Sequence, residues 1–149
     1  MSLDQLYQQI ILDHSKLRHG SGLADTPAPA NASTGQSHQL NPVCGDEVTL
    51  RLAVVDGTVT QIAWDGAGCS ISMASASVLS ELAEGLTVAE AHEVIDSFRE
   101  VLRSRGKVAA DPELLGDAAA FEGVARYAAR VKCAMISWVA AEDALNQAA

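Results

Sequence analysis

Aromatic side chains are scarce in this sequence: two tryptophans, two tyrosines and two phenylalanines make up 4% of it. Nearly half of the residues are still apolar, with alanine and serine abundant. The length suits a single domain, residues 1–149, with ample room for a hydrophobic core. Basic residues are scarce too. Ten lysines and arginines face nineteen acidic residues, a net charge of -9 at pH 7. That balance opposes binding to nucleic acid or to an anionic membrane and leaves only a local basic patch to dock a partner. No apolar run is long enough to span a bilayer. The N-terminus, Met1-Ser-Leu-Asp-Gln5, lacks the basic region and apolar core of a secretory signal, so a cytoplasmic location is expected. Cysteine occurs three times, an odd number with no two close together. This argues against a secreted disulfide framework and for metal or thiol chemistry.

What is present is periodicity. Leu3, Leu6, Tyr7, Ile10 and Ile11 recur at helical spacing and predict an amphipathic helix over 3–16, ended by Gly20 and Gly22. Residues 23–37 are rich in turn formers and lack a core face; they read as a mobile surface connection, with a short strand near His38 and Leu40. The N-terminal helix is accordingly expected to pack loosely. Val48, Leu50, Leu52 and Val54 alternate, and Asp56-Gly57 is a strong two-residue hairpin signal. A returning strand over 58–64 carries Thr60, Ile62 and Trp64 on one face, giving an antiparallel sheet with one buried face. From Ser70 the period turns helical, with Ile71, Ala74, Val78 and Leu82 on one side. Thr87 to Glu90 is a capping box opening a helix that buries Ala91, Val94, Ile95, Phe98 and Leu102. Asp111-Pro112 and Asp117 read as N-caps of short helical turns within 106–125, and a last helix spans roughly 131–147.

The chemistry concentrates in three places. In Asn41-Pro-Val-Cys44-Gly-Asp46, glycine lets the chain bend so that a thiolate and a carboxylate reach one point. Cys69 follows Gly66-Ala-Gly68 at a helix start, where backbone N–H groups favour thiolate. Cys133 follows Arg130-Val-Lys132, also near the start of a helix. The hairpin sets Cys44 and Asp46 beside Cys69. Three soft ligands and one hard one make the four that a closed tetrahedral zinc site requires. Plainer readings stand beside this one. A buried cysteine is often a small hydrophobe, most plausibly so at Cys133. Asp46 is an ordinary turn residue if the cysteines are set aside. Arg126, Arg130 and Lys132 are either a solvated face or a partner-docking, thiolate-stabilising group. His14, His19, His38 and His92 read as solvated side chains.

Three motifs resemble the IscU/NifU-like iron–sulfur assembly family: Asn41 to Asp46, Gly66 to Ser77, and Arg130-Val-Lys-Cys-Ala134 with Trp138 beyond. The opening Leu6-Tyr-Gln-Gln-Ile-Ile-Leu-Asp-His14 is similar as well, so the resemblance covers nearly the whole chain. It implies an α+β fold, a small antiparallel sheet of about three strands packed against several helices. It also implies Cys44, Asp46, Cys69 and Cys133 as ligands of a metal or cluster. The housekeeping IscU scaffolds carry histidine directly before the third cysteine, where this chain has Lys132. They also carry a chaperone-read Leu-Pro-Pro-Val-Lys segment, where this chain has Ala128-Ala-Arg-Val-Lys132. With the extra turns at 106–125, the likeness is closer to the SufU branch.

That branch implies a zinc protein that takes persulfide sulfur from a pyridoxal-phosphate-dependent, SufS-like cysteine desulfurase and stimulates it. The sulfur would pass to a downstream Suf cluster-assembly complex. Cys44 is implied as the sulfur acceptor, held back by Zn2+ until the desulfurase docks, with Arg130 on the docking face. The alternative is a scaffold on which an iron–sulfur cluster is assembled at the same ligands and handed to apo-proteins.

Overall fold

The computed structural model describes residues 2–149. The fold is α+β: a three-stranded antiparallel sheet in the order β1-β2-β3, with five helices packed on it. Its strands are β1 (Ser33–Asn41), β2 (Asp46–Val55) and β3 (Thr58–Ala67). The helices are α1 (Leu3–Leu17), α2 (Ser70–Ala83), α3 (Val88–Arg103), α4 (Pro112–Leu115) and α5 (Ala128–Ala148). No helix among the described residues is long and apolar enough to cross a membrane.

The hairpin forms as its sequence dictates. Asp56 and Gly57 both take positive φ, 50° and 76°, the turn geometry that suits the right-handed twist of paired strands. Val48, Leu50, Leu52 and Val54 are all buried. A register shift at Ala53/Val54 brings Val59, rather than Thr60, opposite Val54 and into the core with Ile62 and Trp64. The bulge explains why strict alternation along β3 misplaces Val59.

The first strand is longer than its sequence suggests. Residues 33–37, expected to belong to the surface connection, are the first half of β1, paired from Ser33↔Val54 to Ser37↔Leu50. Gly35 and Ser37 are buried beneath α5. A Cβ at Gly35 would overlap the carbonyl of Ala144, so glycine is what lets the strand touch the helix backbone. Residues 20–22 run along β3, where Trp64 N donates to Gly20 O and Gly22 N to Trp64 O, both at 2.9 Å. The connection then crosses the other face of the sheet: Arg51 donates to the carbonyl of Thr26, and Gln61 to that of Pro27.

Helix α2 sits at the centre. It is buried on nearly every side, with Ser72, Ser75, Ser77 and Ser80 fully enclosed. Each of the last three finds a partner inside: Ser75 Oγ donates to Ala134 O and accepts from Trp138 Nε1, Ser80 Oγ donates to Ala76 O, and Ser77 Oγ meets His14 and the His19 amide. Small satisfied hydroxyls let neighbouring elements approach closely without the cost of stranded polar groups.

Helix α1 is tied down rather than loose. A Ser2/Gln5 capping box opens it, and Arg18 in the left-handed region closes it before the glycines. Tyr7 and Ile11 pack on the core while Leu3 and Leu6 stay exposed. His14, expected to be solvated, is buried: Nδ1 lies 2.8 Å from Ser77 Oγ and Nε2 3.0 Å from Asp117 Oδ2. Asp117 therefore anchors α1 and caps no helix. Asp111 does cap α4, accepting from Glu113 N, and the Thr87/Glu90 capping box opens α3. Beneath α3, Phe98 stacks on Trp138 at 3.8 Å between centroids and meets Phe121 edge-on at 6.0 Å.

Candidate metal and thiol centre

The site lies at one end of the sheet. The register pairs Asn41 with Asp46 and Glu47 with Ala67, so the β1–β2 turn and the exit of β3 are neighbours. Asn41 organises the turn. Its carbonyl accepts from Gly45 N at 2.8 Å, its side chain accepts from Val43 N, and Gly45 sits at φ 73°. Cys44 is thereby held exposed at the tip, and Asp46 is turned inward to complete burial.

Asp46 is the hinge of the arrangement. Its Oδ1 accepts from the Cys69 amide at 3.0 Å, so the carboxylate sits at the N-terminal end of α2, where a negative charge is favoured. A Cβ at Gly68 would collide with this carboxylate; only glycine leaves it room. Asp46 Oδ2 is buried with no hydrogen-bond partner among the described residues.

Cys133 arrives from above. It lies in the second turn of α5, one turn beyond the helix start that its sequence suggests, and is almost fully buried. Its Sγ is 3.6 Å from Cys44 Sγ and 3.5 Å from Ala129 O. Burial pushes the Cys133 thiol well above its ordinary value, with the neighbouring Asp46, Cys44 and Cys69 adding to the shift. Ligand atoms of Cys44, Asp46 and Cys133 all lie within 4.8 Å of one another.

Cys69 borders that trio, close enough to Cys133 to add to its shift. It is the N-cap of α2, exposed, with Sγ 3.4 Å from Ser72 Oγ. Its backbone, rather than its sulfur, makes the direct contact with Asp46. Arg130 is exposed on the first turn of α5, its guanidinium 4.8 Å from the centroid of Tyr127. Lys132 is exposed as well.

The trio fits a soft divalent metal. Tetrahedral zinc with Zn–S bonds of about 2.3 Å sets its sulfurs roughly 3.8 Å apart, and the Cys44–Cys133 separation is 3.6 Å. The enclosed Asp46 Oδ2, with no hydrogen-bond partner among the described residues, suits a carboxylate ligand. A carboxylate and two close thiols thus form a candidate metal site on an α+β scaffold, with a third thiol at the N-terminus of α2.

Comparison with known proteins is consistent with that class. The family described as NifU-like N terminal domain matches residues 6–134. The chain is 35% identical to the zinc-dependent sulfurtransferase SufU of Bacillus subtilis over 95% of its own length and 90% of the relative. It is 31% identical to the iron–sulfur cluster assembly scaffold protein IscU of Streptococcus pyogenes, over 99% and 87% respectively. The crystal structure of the N-terminal part of a nitrogen-fixing NifU-like protein from Brucella abortus superposes with a TM-score of 0.80 at 26% identity, covering 97% of this chain and 95% of that one. The chain belongs to the NifU-like N-terminal domain family and is an iron–sulfur cluster assembly protein of the IscU/SufU type.

Proposed function

We propose that the protein is a zinc-dependent sulfur acceptor for iron–sulfur cluster biogenesis, loaded by a pyridoxal-phosphate-dependent cysteine desulfurase. The observation that carries the reading is the asymmetry of the thiols: Cys44 exposed on a turn, 3.6 Å from a buried Cys133, beside a buried carboxylate. The similarity to the SufU protein supports the zinc and the sulfur transfer.

In this reading Cys44, Asp46, Cys69 and Cys133 hold the zinc. When bound, it keeps its cysteine ligands deprotonated and shields them from oxidation. Cys44 is the acceptor. Its thiolate attacks the terminal sulfur of the donor's cysteine persulfide, the donor's S–S bond breaks, and the donor cysteine leaves as a thiolate. Cys44 then carries the persulfide. Cys44 is suited to this because it sits on a turn whose next residue, Gly45, has open space around it. The Cys69 backbone is committed to Asp46, and Cys133 is enclosed. Arg130, exposed one turn before Cys133, lies on the docking face.

The test is mass spectrometry of the protein after reaction with desulfurase and cysteine, locating the added sulfur by peptide. Added sulfur on Cys44, and loss of desulfurase stimulation in Cys44→Ala, are expected. Sulfur on Cys69 or Cys133 of the wild type would end the mechanism. The second reading, assembly of an iron–sulfur cluster as cargo at the same residues, draws on the similarity to the IscU scaffold. Metal analysis and a visible spectrum of anaerobically purified protein separate the two: stoichiometric zinc without colour supports the acceptor, whereas iron with inorganic sulfide supports the scaffold.

A further inference from the structure

Beside the thiols lies an apolar groove of about 780 Å³, between the end of β1, the β1–β2 turn, the C-terminal end of α3 and the outer face of α5. Its apolar lining includes Leu40, Val43, Val131, Met135 and Val139, of which Leu40, Val43 and Val139 are large side chains left exposed. Val43 directly precedes Cys44, and Lys132 directly precedes Cys133, so the groove adjoins both thiol-bearing segments.

The charge around the groove runs against the rest of the molecule. The chain carries -9 overall, with ten lysines and arginines against nineteen acidic residues. Yet Arg103, Arg105, Arg126 and Lys132 all line this groove, and no aspartate or glutamate does. None of the four makes a salt bridge among the described residues. All four are exposed. Arg99, only one turn away on α3, shows the contrasting arrangement, paired with both Asp96 and Glu142. Like charges gathered around apolar surface and left unpaired repel one another, and the arrangement is relieved when an acidic partner covers it.

We propose that this groove docks an acidic segment of the sulfur donor, one carrying apolar anchors between aspartates or glutamates. The anchors cover Leu40, Val43 and Val139, and the carboxylates meet Arg103, Arg105 and Arg126. The inference rests on the sulfur-acceptor reading above and adds to it where the donor binds. It also extends the electrostatic part of docking from Arg130 to α3 and the turn before α5; Arg126 lines both this groove and the neighbouring cleft that holds Arg130, Asp4 and Tyr7.

The experiment uses full-length protein and a purified SufS-like cysteine desulfurase. Binding is followed by titration calorimetry and sulfur transfer by persulfide formation. Two variants are compared with wild type: R103E/R105E/R126E, and L40S/V139S. All five positions are exposed, and zinc content and melting temperature check that folding is kept. The charge variant is expected to raise the half-saturating concentration by about tenfold or more with the maximal rate unchanged, and to lose the wild-type sensitivity to ionic strength. The apolar variant is expected to raise half-saturation while keeping that sensitivity. Unaltered half-saturation in both variants overturns the groove as docking site while leaving sulfur transfer intact. Wild-type protein that binds the desulfurase through the groove yet accepts no sulfur overturns the function and leaves the docking site standing. Wild-type dimers that dissociate in both variants, with half-saturation unmoved, assign the groove to a second copy and overturn the proposal.

Discussion

Replacing Gly68 with alanine isolates the one contact on which the carboxylate of the site depends. The new methyl would arrive against Asp46, whose Cγ lies 3.0 Å and whose Cβ lies 3.2 Å from that position. Neither atom can retreat far, because Asp46 is fully buried and paired with Asn41 across the sheet. The carboxylate must swing, and the 3.0 Å bond from the Cys69 amide is the first thing it gives up. A hydrogen bond to a charged group contributes about 1.5–3 kcal/mol. At 1.4 kcal/mol per tenfold, zinc affinity should fall by roughly ten- to a hundredfold, the range found when a group supporting a metal ligand is lost. Competition against a chromogenic zinc chelator measures this. The control is Gly123→Ala, where an added Cβ meets nothing within 4 Å and affinity should not move. Gly68→Ala protein that melts normally without metal and binds zinc within about twofold of wild type would refute the reasoning, since twofold corresponds to less than about 0.5 kcal/mol.

Other perturbations read other parts of the structure. In metal-free protein, alkylation followed by peptide mapping should label Cys44 and Cys69 well before the buried Cys133; Cys133 labelled first would contradict its placement under α5. Phe98→Ala removes a ring stacked at 3.8 Å on Trp138 and should cost about 3–5 kcal/mol in denaturant unfolding; a loss under about 1 kcal/mol would mean the site collapses without a cavity. The Glu90 carboxyl is held below its usual value of 4.5, first by the Thr87 backbone amide and then by the Thr87 hydroxyl. Its contribution is therefore present above pH 4.5 and lost as pH falls through the depressed value. Amides of the first turn of α3 should lose protection over that window, and Glu90→Gln should remove the dependence.

How much of this was legible without coordinates depends on what each element buries. The hairpin, the capping box of α3 and the three thiol-bearing segments are local patterns, and each forms where the residues place it. Strand β1 was half missed because it buries Gly35 and Ser37, and its one large apolar residue, Leu40, faces out. Small residues pressed against a helix leave no hydrophobic alternation to read. Helix α2 shows one apolar face in its sequence, and its small serines suit close packing; that they are fully enclosed and bonded to partners far away in sequence is not a local pattern. His14 illustrates the same limit: its partners, Ser77 and Asp117, lie 63 and 103 residues away. At the thiols, the hairpin pattern alone brings Cys44 and Asp46 together with the start of α2. What it misses is that the Cys69 amide, and not its sulfur, is in direct contact with the carboxylate.

The pairing of Cys44 with Cys133 has a consequence for the history of the chain rather than for its chemistry. The two sulfurs touch across 89 residues of sequence, and everything between them, from β2 to the first turn of α5, must be in place before they meet. A tie across a loop of that size removes about 4–5 kcal/mol of conformational freedom from the unfolded ensemble. An ion that joins them would therefore act as a late clasp on folding. During synthesis the thiol of Cys44 emerges long before its partner does, and it spends that interval as an unprotected, reactive group on an unfinished protein.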